Sequence, residues 1–109
     1  ATGGAARLAP ELPRIRALSH LDLSMNRIGA GGMEAICQTL PACTRLLHLD
    51  VSDNDLGAEG ARHVSLALPR CSSLRHLGVG GNRFGVQGAE QLAAGLRDCP
   101  SLTHLNVRA

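Results

Sequence analysis

The chain has 109 residues and a formal net charge of +2, carried on the basic side entirely by arginine, with Phe84 as its one aromatic residue. So small and scattered a positive charge makes no basic face for nucleic acid or an anionic membrane, and one aromatic side chain gives bases almost nothing to stack on. No apolar run approaches the ~18 residues that a membrane-spanning helix requires, and the N-terminus lacks a basic segment followed by a hydrophobic one, so the expectation is a soluble, cytoplasmic chain with neither nucleic-acid nor membrane partners.

Residues 1–17 place Gly4, Leu8, Leu12 and Pro13 with the spacing that Gly32, Ile36, Leu40 and Pro41 repeat 28 residues later. They read as a degraded helical half-repeat, whose helix Pro10 must kink or shorten. From residue 18 the pattern is complete. His20-Leu21-Asp22-Leu23 alternates polar with apolar, the period-2 signature of a half-buried strand with Leu21 and Leu23 inward. Asn26 follows at a turn, where a side-chain amide can satisfy backbone groups of neighbouring coils. Gly29 and Gly32 admit turn conformations, and a helix is expected from about residue 31 with Met33, Ile36 and Leu40 on its inner stripe. Pro41 should stop it.

The same elements then recur in order. Leu46, Leu49, Val51, Asn54, Gly57, Gly60 and Cys71 repeat Leu18, Leu21, Leu23, Asn26, Gly29, Gly32 and Cys43, and the third unit runs from Leu74 through Asn82, Gly85 and Gly88 to Cys99. Ala61, Val64 and Leu68 are the expected inner positions of the second helix, and Ala89, Leu92 and Leu96 those of the third. Pro69 ends the second, whereas Arg97 replaces the proline in the third and lets that helix run on. Leu102, Leu105 and Val107 begin a fourth strand. Self-similarity at a fixed period of this length marks a solenoid in which each unit packs only on its neighbours. Three full repeats and a terminal strand, without a polar cap, suggest part of a longer array.

With L-x-x-L-x-L-x-x-N matched in one register, together with six glycines and three cysteines, residues 18–109 resemble leucine-rich repeats of the ribonuclease-inhibitor type, also found in Ran GTPase-activating proteins and NOD-like receptors. The resemblance implies an α/β solenoid, a horseshoe arc with a parallel concave sheet and convex helices. The spacing difference agrees: parallel strands lie about 4.8 Å apart and helices about 8–10 Å, so the helical side must spread.

The register also gives the sheet face, where proteins of this curvature usually bind. His20, His48, His76 and His104 form one column; Asp22, Asp50, Gly78 and Asn106 the next; Ser24, Ser52, Gly80 and Arg108 a third; and Ser19, Leu47, Arg75 and Thr103 a flanking one. From these, His20, Asp22, Ser24, His48, Asp50, Ser52, Arg75, His76, His104, Asn106 and Arg108 are the candidate partner-binding residues. Rings on parallel strands point the same way instead of converging tetrahedrally, so no metal is expected, and the simplest role for the column is a ring that packs on the sheet and hydrogen-bonds an adjacent aspartate. Crowded imidazoles beside aspartates could also respond to pH.

Gly78 and Gly80 stand on a strand, not in a loop opening a helix, which excludes a nucleotide site and leaves an expected notch beside His76. Cys43, Cys71 and Cys99, one per repeat, fit buried reduced thiols better than disulfides or zinc, and Cys37 is a small helix residue. No nucleophile, base and orienting acid stand together, so catalytic residues and cofactors are assigned as none. The expected function is a non-catalytic interaction module for a protein partner. The resemblance also admits a part of a Ran-type GTPase-activating protein or the sensing repeats of a NOD-like receptor.

Overall fold

The computed structural model describes residues 7–15 and 17–107. The Gly4 half-repeat position and the proposed Arg108 site lie outside them. After a 3-10 helix, Ala9–Arg14, strands β1 (His20–Asp22), β2 (His48–Asp50), β3 (His76–Gly78) and β4 (His104–Asn106) alternate with α1 (Gly29–Thr39), α2 (Gly57–Ala67) and α3 (Gly85–Arg97). The strands form one parallel sheet in chain order. Histidine pairs with histidine and leucine with leucine throughout, each step being the 28-residue period. This is the leucine-rich-repeat solenoid expected, with the sheet on one side and the helices on the other.

The core lies between the two layers. Leu49, Val51, Leu77 and Val79 come from the sheet, while Met33, Ile36, Leu40, Val64, Leu68 and Leu92 come from the helices. Ala61 is buried as expected, but Ala89 is exposed. Its equivalents are covered by the next helix, and α3 is the outermost one.

Asn54 and Asn82 are the two buried polar residues among those described. The Asn54 Oδ1 accepts the Asn26 and Ile28 N–H groups at 2.8 and 3.2 Å, and its Nδ2 donates to the Leu23 and Val51 carbonyls at 2.8 and 3.0 Å. Asn82 repeats this one coil on, accepting from Asn54 N at 2.7 Å and donating to Val51 and Val79. A strand leaving a sheet exposes backbone groups that must find partners, and each asparagine supplies them for its own coil and the one before.

The helices begin two residues earlier than the sequence suggests. Gly29 N–H donates to the Asn54 carbonyl at 2.9 Å and Gly57 N–H to the Asn82 carbonyl at 2.8 Å, so the next coil holds the first turn and no side-chain cap is used. Pro41 and Pro69 end the α-helices but not the helical path, which tightens into 3-10 turns over Leu40–Ala42 and Leu68–Arg70. A proline near the start of such a turn has no N–H to waste. Without one, α3 runs 13 residues against 11 for α1 and α2.

Candidate functional site on the sheet face

The four histidines form a ladder. Because successive strands are in register and side chains at equivalent positions point the same way, the rings of His20, His48, His76 and His104 follow one another with centroid separations of 5.5, 5.5 and 4.3 Å. Their partners are not the aspartates. The His20 Nδ1 lies 3.0 Å from the Ser19 hydroxyl and the His104 Nδ1 lies 2.9 Å from that of Thr103. The flanking column therefore orients the two outer rings. Leu47 and Arg75 occupy it beside His48 and His76, and among the described residues no side-chain hydrogen bond fixes those inner rings.

The aspartates instead brace the strand ends. Asp22 Oδ1 accepts the Ser24 hydroxyl at 2.6 Å and the Ser24 N–H at 2.9 Å, and Asp50 Oδ1 accepts the Ser52 N–H at 2.9 Å. Among the described residues no hydrogen bond joins a histidine to an aspartate, because short carboxylates reach the residue two along the chain more easily. The Ser24 hydroxyl, its N–H and the nearby His48 hold the Asp22 carboxyl below the usual carboxylate range. His76 is shifted down from its ordinary value by partial burial first, then by repulsion from His104, His48, His20 and Arg75.

The expected notch at Gly78 is filled. A Cβ there would meet Asp50 Oδ1 at 2.8 Å and Ser52 Oγ at 3.3 Å, so the neighbouring strand's polar side chains lean across the glycine. Both Gly78 and Gly80 are buried. Ser24 and Ser52 sit at the end of the face near the turns, Arg75 is exposed at its opposite margin, and Asn106 stands in register with Gly78 on β4. The face thus carries carboxylates on β1 and β2, and none on β3 and β4.

The Ser19–His20 contact pairs a hydroxyl with a base, but no described carboxylate orients the ring. Among the described residues no group of three or more potential ligands is placed to hold a metal ion. All four cysteines are free and buried. Burial pushes the Cys37 thiol up to about 12 and the Cys71 thiol up to about 11, which leaves both in the unreactive protonated form near neutral pH.

Sequence reasoning missed a second set of cross-coil bonds. Ser73 and Ser101 hydroxyls donate to the Leu46 and Leu74 carbonyls at 2.7 Å, closing the link from helix to strand. Arg45 occupies this column in the first repeat, which hid the pattern.

The leucine-rich-repeat sequence model matches residues 16–37, 42–65 and 70–93, together more than half of the chain. The chain belongs to the leucine-rich repeat family. Its asparagine ladder and leucine register are what those three matched segments share in space. No curated protein sequence matches the chain. Among solved structures, this repeat array is similar to the tropomodulin C-terminal domain of Caenorhabditis elegans, with a TM-score of 0.77 and 13% identity over 97% of this chain. The chain spans 63% of that domain's length. At such identity the likeness concerns the fold.

Proposed function

We propose that this leucine-rich repeat chain is a non-catalytic interaction module that holds a protein partner on its concave sheet face. The observation that carries the reading is the ladder itself. Four imidazoles, two braced aspartates and Arg75 stand on one sheet with side chains outward, and polar groups arranged in fixed columns give a partner both register and orientation. Family membership supports the general role, since leucine-rich repeats commonly mediate protein association. On this reading the free buried thiols suit a reducing compartment such as the cytoplasm.

Affinity capture from the lysate of the source cell tests the reading. The native chain is compared with His48→Ala/Asp50→Ala on the sheet face and with Arg62→Ala/Leu66→Ala on the helical face, after circular dichroism shows all three folded. Proteins retained by the native chain and the helical-face variant, but lost from the sheet-face variant, are the expected result. Retention by the sheet-face variant and loss from the other would move the binding surface to the helices.

A further inference from the structure

The ladder has a spacing as well as a chemistry. Two of its ring-to-ring steps, at 5.5 Å, match the ~5.4 Å rise of one α-helical turn, and the third, at 4.3 Å, is shorter by a margin that flexible side chains span. Same-side residues of an extended strand recur at about 6.6–6.8 Å and match it poorly. A helix laid across the strands would therefore present one side chain per turn to one imidazole per strand.

Charge selects what those side chains are. Beside His20 and His48 stand Asp22 and Asp50, whose carboxylates are already engaged by Ser24 and Ser52. Beside His76 and His104 stand Gly78 and Asn106, neither of them charged, and Arg75 precedes His76. Asp53, Asp55, Arg27 and Arg83 lie past the strand ends at the turns, with Arg83 paired to Asp55 at 3.9 Å. The helices pack on the opposite side of the sheet, and among the described residues they bring no charged group to this face. Asp22 and Asp50 oppose anions at β1 and β2, and Asp50 leans across Gly78, so the part of the face least opposed to anions runs from His76 toward β4, with Arg75 at its margin.

Building on the concave-face reading, we propose that the histidine ladder seats an acidic helix of the partner, laid across the strands with carboxylates over His76 and His104, and holds it more tightly as the pH falls. Without the partner, protonating adjacent rings sets like charges 4.3–5.5 Å apart. A carboxylate over each ring removes that opposition, so binding takes up protons. Affinity then rises on acidification, by at most about tenfold per pH unit for each proton taken up.

The probe is an alanine-based helical peptide of roughly four turns with one glutamate per turn along one side, beside the same peptide with glutamine. Calorimetry and imidazole NMR shifts on the full chain are compared at pH 7.5 and 5.5. The expected result is binding of the glutamate helix about tenfold tighter at the lower pH, with perturbations centred on His76 and His104. The glutamine helix should show no such gain, and His76→Ala/His104→Ala should remove the pH dependence while keeping the native circular dichroism.

Equal affinity for both peptides, no binding at either pH, or perturbations confined to His63 on the helical face would overturn the proposal. The two readings fail separately. A lysate partner that requires His48 and Asp50 while the glutamate helix is ignored removes the acidic-helix proposal and leaves the sheet-face reading in place. A partner indifferent to the sheet-face variant removes the reading beneath it.

Discussion

At the scale of single residues, the asparagines carry the heaviest polar duty. Asn54 is fully buried and joins backbone groups of two coils through both ends of its amide. Asn54→Ala strands several of them at once, so a loss of about 3 kcal/mol or more is expected by urea denaturation. Backbone conformation gives the opposite opportunity. Met25, Arg27, Asp53, Asp55 and Arg83 flank the ladder asparagines with φ between 52° and 58°, a region that disfavours side chains other than Asn and Asp. Met25 is 75% exposed and packs on little. Met25→Asn should therefore stabilise the chain by about 1 kcal/mol, read as a raised thermal midpoint. None of this strain was legible in the sequence, because Met and Arg are not turn formers, whereas the asparagine role was plain from its recurrence. Likewise Ser19 and Thr103 gave no sign of orienting the rings, since Leu47 and Arg75 interrupt their column.

Among the elements, the α2–α3 pair is the most closely packed, and glycine is the reason. A Cβ on Gly95 would lie 2.6 Å from the Ser65 Cα and carbonyl oxygen, which are backbone atoms that cannot step aside alone. Gly95→Ala is expected to cost more than about 2 kcal/mol by pushing α3 away from α2. Gly31, inside α1, meets nothing within 4 Å. There the same substitution should add about 0.5–1 kcal/mol, because it only restricts the unfolded chain. Comparing the two variants' denaturation midpoints checks both signs. The helices themselves were readable from their apolar stripe, yet their starts were not. A first turn held by the carbonyl of a coil 28 residues later leaves no local capping signal to read.

For the whole molecule, stability should fall as the solution is acidified. The folded chain binds a proton at His76 less readily than an ordinary histidine does. Its contribution is therefore complete above the ordinary 6.5 and is lost as pH drops from there through the lowered folded value. Urea midpoints at pH 7.5 and 5.5 should differ more for the native chain than for His76→Gln; equal differences would assign the acid sensitivity elsewhere. The four-strand sheet and its histidine column were fully predictable from periodicity, while the filling of Gly78 by Asp50 was not, because it depends on a sideways reach between strands. The asparagine bonds also run one way, each amide serving its own coil and the preceding one. A gene that gains or loses one whole unit therefore keeps the same asparagine bonds at every remaining junction, so the span of such a protein can drift in evolution while this rule of its assembly stays fixed.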